Sequence, residues 1–218
     1  MSKVHDYPHM KDSQIEWVGP IPDTWTVFPA ATVFSEIKER NGDGSRANPL
    51  SFRYGEIVAK NIVGDIDEDL EKTLSAYRVV SPNTIMINGL NLNYDFVTQR
   101  VAIVNQHGII TSAYIAVRPD ESKLLPRFAL YLLKAYDYRQ VFHGIGSGIR
   151  KTLKYADLRQ IEIAAPPIGT QKQIVHFLDS TCAAMDAVIA EKQTMISDIE
   201  SYKKSLIYEV VTGKRRVA

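Results

Sequence analysis

The sequence predicts a mixed α/β (α+β) domain followed by one long C-terminal α-helix. Three observations predict it. Short β-branched segments alternate with Gly, Asn, Asp and Pro through most of the chain. One strongly periodic helical stretch interrupts them near residue 130, and beyond Pro166-Pro167 the pattern turns helical and stays so.

The strand-like segments are 84–88 (TIMIN), 100–104 (RVAIV), 109–117 (IITSAYIAV) and 161–165 (IEIAA). A helix is expected over 126–142, opening on Pro126, which suits a first helical position, with apolar residues at Phe128, Tyr131, Leu132, Ala135, Tyr138 and Phe142. A shorter one is expected over 153–159. The division falls at the two prolines, giving a domain over 1–167 and a helix over 168–218. Thr170 with Gln173 has the form of a capping box, and Gly213 is a natural stop before Lys214, Arg215 and Arg216. Between them an alternating three-four spacing runs Ile174, Leu178, Thr181, Met185, Val188, Lys192, Met195, Ile199, Tyr202, Leu206 and Val210, with only Lys192 out of character. That is a coiled-coil seam, and about forty residues at 1.5 Å each reach roughly 60 Å. A stripe this long needs a second helix, and the chain offers none of comparable length. The alternative is that the helix folds back on its own domain.

Composition bounds the function. Of 218 residues, 45% are hydrophobic and 23% charged, ordinary values for a globular protein. No apolar run approaches the ~20 residues that span a bilayer, and the opening MSKVHDYPHMKDSQ is polar, so a cytoplasmic location and no membrane are expected. Cys182, the only cysteine, lies within the helical seam region and reads as a small buried hydrophobe. The histidines at 5, 9, 107, 143 and 176 show no ligand spacing, and no metal is expected. A net charge of +1 neither announces nor excludes nucleic acid. Charge is uneven, however: 65–71 is acidic, while 150–154 and 214–216 are basic.

Two kinds of segment suggest chemistry. Gly144, Gly146 and Gly148 with Ser147 free backbone N–H groups for a close approach, and Arg150, Lys151 and Lys154 follow at once. The loop follows a helix rather than a strand and lacks a ribose-binding acid and a GK[ST] ending, so it fits neither nucleotide fingerprint. It suits DNA phosphates, with Arg150 able to donate bidentately to guanine. The plainer alternative is a tight turn with solvated cations. In 87–100 (INGLNLNYDFVTQR), Asn88, Asn91, Asn93, Tyr94 and Gln99 cluster with Arg100, and Asn or Gln can pair with adenine. Arg46, Asn48, Arg53 and Tyr54 form a second cluster. Each Asn or Gly there can equally be a turn former.

Four segments, in order, resemble specificity (S) subunits of type I restriction-modification systems. Residues 6–25 (DYPHMKDSQIEWVGPIPDTW) are similar to the family's opening at Tyr7, Pro8, Lys11, Ser13, Trp17, Gly19, Ile21, Pro22 and Trp25, with Gln14 in place of the usual Gly. Residues 108–114 (GIITSAY) resemble a strand of some recognition domains. Residues 144–167 resemble the glycine-arginine loop and its following helix and strand, with Ala164 where Pro is usual. Residues 168–213 resemble the family's spacer helix, through Ile174-Phe177-Leu178-Asp179, Met185-Asp186-Ala187-Val188-Ile189 and Val211-Thr212-Gly213-Lys214. Lys172-Gln173 stands where Glu-Gln is usual.

The resemblance implies a non-catalytic DNA-recognition subunit whose target-recognition domain is followed by an antiparallel coiled-coil helix, with no cofactor of its own. The implied partners are double-stranded DNA, adenine methyltransferase (M) subunits, a restriction (R) subunit and a second copy through the helix. The methyltransferase tetrapeptide that holds a flipped adenine is only echoed at Asn48-Pro49-Leu50-Ser51-Phe52. Complete S subunits carry two recognition domains and two long helices; this chain has one of each, as expected of a natural half-subunit or of an N-terminal half. Two other readings remain beside this one: a coiled-coil interaction protein without base readout, and a nucleotide-dependent enzyme using the glycine loop.

Overall fold

The computed structural model describes residues 7–42, 48–60, 68–148 and 151–217. They divide into two compact units, Met1–Gln173 and Ile174–Ala218.

The first unit is built on a four-stranded antiparallel sheet. Its strands, taken with the rest in chain order, are β1 (Met10–Asp12), β2 (Pro20–Pro22), β3 (Thr26–Pro29), β4 (Phe34–Glu36), β5 (Leu50–Arg53), β6 (Glu56–Ala59), β7 (Arg78–Val80), β8 (Ile85–Ile87), β9 (Val101–Ile103), β10 (Gly108–Ile110), β11 (Ile115–Pro119) and β12 (Glu162–Ala165). The sheet runs β4-β11-β8-β9. Register sets Met86 beside Ala116 and Ala102, while Ile85 and Ile87 face Val117, Ile103, Ile115 and Val101. Successive side chains point to opposite faces, so the two rows line two different faces, and both are buried. A strand apolar in every position has this cause. The 86–102–116 row packs on Leu50 and Ile57 from the β5–β6 hairpin and on Val80 and Ile110 from the β7–β10 pair.

The helices are α1 (Glu68–Ser75), α2 (Pro126–Tyr138), α3 (Val141–Ile145), α4 (Tyr155–Leu158) and α5 (Ile168–Val211). Helix α2 packs across β8, β9 and β11, burying Phe128, Ala129, Leu133 and Tyr136. Tyr136 Oη donates to the Glu162 carbonyl at 3.2 Å, and its ring meets Trp17 edge-on at 5.9 Å. These contacts tie α2 to β12 and to the N-terminal segment, whose Ile15 and Ile21 form a satellite cluster with Ala164. Burial pushes the Tyr136 hydroxyl up to about 12. The sign is that of a group held neutral, so its contribution is full below the ordinary tyrosine range and lost as pH rises through 12.

Several expectations need correction. The apolar run 109–117 is two strands in two sheets, broken at Thr111–Tyr114. The helix expected over 126–142 breaks at Arg139-Gln140, because Gln140 adopts a left-handed φ of 57° that no helix interior holds. Thr170 is not the cap of the long helix, which begins at Ile168 with Gln171 N–H donating to the Pro167 carbonyl. Gln171 is instead a buried pin. Its Oε1 accepts the Leu125 N–H, and its Nε2 donates to the carbonyls of Lys123 and Pro166. Gly213, at φ 74°, follows the last turn as expected.

The second unit is the remainder of α5. The whole helix has 44 residues, about 66 Å at 1.5 Å per residue. Met185, Val188, Met195, Ile199 and Tyr202 are all exposed on it, as are Ile189 and Ile196; Ile174, Leu178, Thr181 and Leu206 are half-buried. No helix among the described residues is long and apolar enough to cross a membrane.

Candidate nucleic-acid interface

Three segments far apart in sequence meet at one end of the sheet. The first is the loop 88–99 between β8 and β9. Arg100, the residue that follows the loop, is only 1% exposed and gathers it from inside. Its Nη1 donates to the carbonyls of Asn88 (3.1 Å) and Leu90 (2.8 Å), and its Nη2 to that of Asp95 (2.6 Å). The planar fork reaches three carbonyls at once, which an ammonium cannot do with the same geometry. Asn88 Oδ1 caps Leu90 N–H, and Asp95 Oδ1 accepts the N–H groups of Val97 and Thr98. The Thr98 N–H bond above all holds the Asp95 carboxyl below its usual range. That contribution is present above the ordinary carboxylate range and lost as pH falls through the lowered value.

Asp137, from α2, completes the anchor by accepting the Arg100 backbone N–H at 2.8 Å. Burial pushes its carboxyl up, against the opposing pull of that N–H and of the guanidinium. Next to it His143 Nε2 lies 3.1 Å from the Asp95 carbonyl, and Phe96 stacks on the His143 ring at 4.8 Å. With Nε2–H donating, His143 Nδ1 is left buried and unpartnered.

The second segment is the β5–β6 hairpin. Its two-residue turn is Tyr54-Gly55, at φ 50° and 77°, a type I′ geometry that favours Asn-Gly. An L-residue there costs on the order of 1–2 kcal/mol, and Tyr54 recovers nothing by packing, being 90% exposed. Gly55 is buried against the first loop, where a Cβ would lie 2.3 Å from Gln99 Oε1. Phe52 meets Tyr114 at 5.5 Å. Tyr114 in turn lines a cavity of about 670 Å³ with Asn88, Leu90, Asn91, Tyr94 and Asp95.

The third segment is the glycine loop after α3. Ser147 and Thr152 exchange backbone hydrogen bonds at 2.9 and 3.3 Å, and Lys151 N–H donates to Gly148 O. The loop locks onto the first segment, since Leu92 N–H donates to Lys151 O and Leu153 N–H to Gly89 O. Glycines allow the approach: a Cβ at Gly89 would sit 2.4 Å from the Leu153 carbonyl, and one at Gly146 2.5 Å from Leu92 Cδ1. Gly89→Ala should therefore destabilise by about 1–3 kcal/mol, the usual cost of overpacking. Gly144→Ala, with open space around its Cβ, should be neutral or slightly stabilising. Urea midpoints of the two variants check the pair, and equal midpoints would contradict the contact.

Arg53, Tyr54, Asn91, Tyr94, Lys151 and Lys154 are thus exposed on neighbouring segments. Asn93 is half-buried. Arg46 and Arg150 lie outside the described residues. Asn48 serves the fold: at φ 84° it donates to the His107 carbonyl and accepts the Ile109 N–H on its own carbonyl. Arg100 requires a correction, because its guanidinium is spent inside the loop and offers no fork to an outside ligand. Gly146, Ser147 and Gly148 shape the third segment. Sequence reasoning missed Phe96 and Val97, both exposed; two adjacent apolar residues inside a polar loop were the available signal. It also missed Tyr114 and Gly55, which only the fold brings to the site.

Comparison with known proteins shows the family and the fold. A family model described as the type I restriction modification DNA specificity domain matches residues 65–197. The chain is similar to the putative type I restriction enzyme MjaX specificity subunit of Methanocaldococcus jannaschii, 22% identical over 89% of this chain and 47% of that protein. It is also similar to the type I restriction enzyme EcoKI specificity subunit of Escherichia coli, 24% identical over 90% of this chain and 44% of that one. Among solved structures, a chain of a type I R-M system complex matches at TM-score 0.61, with 16% identity, over 87% of this chain and 46% of its own. The HsdS subunit from Thermoanaerobacter tengcongensis matches at 0.53, with 18% identity, over 82% and 41%. The chain spans less than half the length of each of these relatives.

Proposed function

The chain belongs to the family of type I restriction-modification DNA specificity domains, and we propose that it reads one half of a two-part target in double-stranded DNA for a methyltransferase that it does not itself contain. The observation that carries the reading is the meeting of the 53–55 turn, the 88–99 loop and the glycine loop. Together they offer amide, phenol and cationic groups on neighbouring, mutually braced segments. Asn91 suits an adenine edge, and Lys151 and Lys154 suit phosphates. Arg46 and Arg150 stay in the proposed contact set on the sequence argument alone. Bracing matters here because contacts held in place before binding cost less ordering on DNA.

In this reading 1–167 is the recognition domain, and 168–218 is a spacer that pairs antiparallel with a second copy through Ile174, Leu178, Thr181, Met185, Val188, Met195, Ile199, Tyr202 and Leu206. Ile189 and Ile196 add a third apolar position per heptad, more than a two-stranded seam uses and typical of a helix in a bundle. That surplus supports the docking of M subunits on the same helix, with an R subunit joining the larger assembly. The chain itself supplies no catalysis and no cofactor.

The test is selection of a random-sequence duplex library on the full-length protein at stated salt, because phosphate contacts alone bind every sequence. Enrichment of a motif, bound at least about a thousandfold more tightly than scrambled duplex, supports base readout. Uniform weak binding would leave a coiled-coil protein without readout. Lys154→Ala should weaken all duplexes alike and lower the salt slope by about one unit.

A further inference from the structure

We propose that Tyr54 is inserted into the base stack of the target duplex, so that part of the specificity comes from how readily one base step opens. The inference deepens the DNA-reading function above and rests on it. Four observations carry it. Tyr54 occupies a left-handed conformation at φ 50°, in a turn where Gly would fit without strain and Asn with less of it. Its ring is 90% exposed, so neither the core nor a neighbouring side chain explains the choice of residue. The hairpin below the turn is anchored, because Phe52 packs on Tyr114 and on the core, and Gly55 is buried where an added Cβ would meet Gln99. The ring therefore stands out from an anchored hairpin whose turn lies against Gln99, in the loop that carries Asn91 and Tyr94.

A two-stranded ribbon is narrow enough to enter a DNA groove, and side chains at its tip then meet the stacked bases first. Apolar and aromatic wedges there unstack a step, at a cost that depends on the sequence unstacked, least at TA and CA/TG steps. An aromatic face restores part of the lost stacking. Arg53, exposed at the adjoining position, places a cation near the flanking phosphates; Glu56, its cross-strand partner, disfavours deeper entry of the ribbon. Strain retained at a site the fold does not need is the mark of a functional residue.

The experiment uses the full-length protein and the duplex selected by it, with permanganate oxidation of thymines as the readout of unstacking. Wild type should render one thymine within the selected motif reactive. Tyr54→Asn suits the turn, so its melting temperature should be equal or higher while specific affinity falls about ten- to a hundredfold and the reactivity disappears. Tyr54→Phe should keep both within about twofold, since it keeps the ring. Three outcomes overturn the proposal: specific binding by wild type with no reactive thymine, unchanged affinity and reactivity in Tyr54→Asn, or loss in Tyr54→Phe equal to that in Tyr54→Asn. If wild type selects no motif at all, the DNA-reading function itself fails and takes this inference with it.

Discussion

Arg100→Met will cost the recognition domain about 3–5 kcal/mol and abolish specific DNA binding, although the guanidinium is buried within the loop. Removing one member of a buried charged network leaves its partners unpaired. Here three carbonyls, at Asn88, Leu90 and Asp95, lose their donors together. The Asp95 carboxylate, 3.7 Å from the guanidinium, loses its cation. Asp137, already raised by burial, loses an attractive charge and should titrate higher still. Methionine keeps the length of the side chain, so the loss is of charge and hydrogen bonds rather than of volume. Arg100→Lys should recover less than half of the stability, because three ammonium protons radiate from a point and do not match three carbonyls on a planar fork. Amide hydrogen exchange of Leu90, Leu92 and Tyr94 separates this account from direct readout. All three should exchange rapidly in Arg100→Met. A variant that keeps full stability and amide protection yet loses DNA binding would return Arg100 to the interface.

That residue also marks where the sequence was legible and where it was not. Arg100 follows three asparagines, a tyrosine and a glutamine in a loop, a composition shared by binding surfaces and by turns held from within. Only the path of the chain, which carries β9 under α2, decides between them. Strands β8 and β9 were legible because burial on both faces leaves them wholly apolar. The N-terminal strands were not, since β1 is exposed throughout and β4 to β7 each carry a charged residue, so no apolar run marks them. The long helix was the clearest element, because a three-four spacing repeated over many turns has no strand equivalent. Its start at Ile168 was legible as well, but its cap was misread for a local reason. Thr170 and Gln173 had the form of a capping box, whereas it is Gln171 between them that is fixed, as a hydrogen-bonding pin for the Lys123–Leu125 turn. The site followed the same division. Its polar residues stood out as composition, whereas the glycines that let segments meet, and the tyrosine that joins hairpin to cavity, gained meaning only from contacts across the fold.

The largest effect on assembly is expected from Ile199→Asp. Ile199 is 64% exposed on α5, on the apolar seam between Met195 and Tyr202. In the proposed antiparallel pair each copy contributes this position, so the substitution introduces two carboxylates into a seam that is apolar but for Lys192. The dissociation constant of the pair should rise at least about a hundredfold, which is about 2.7 kcal/mol. The recognition domain, a separate unit, should keep its melting temperature. Sedimentation at tens of micromolar reads the difference, and a wild type that is monomeric there would remove the pairing outright. The consequence for DNA follows from symmetry. Two identical chains in a closed pair are related by a two-fold axis, and that axis is imposed on the half-sites they touch. The target should then be two inverted copies of one short sequence, separated by bases that no loop reaches. A helix of about 66 Å sets that gap at about one to two turns of duplex, each ~34 Å. Deleting one heptad from the middle of α5 shortens the spacer by about 10 Å, so the gap should contract by about three base pairs while the half-sequences stay unchanged. Adenine-methylation sequencing in cells carrying this chain with its methyltransferase reads both quantities. A continuous motif, or two unrelated half-sequences, would be incompatible with a symmetric pair, and a gap that ignores the heptad deletion would show that α5 does not measure it.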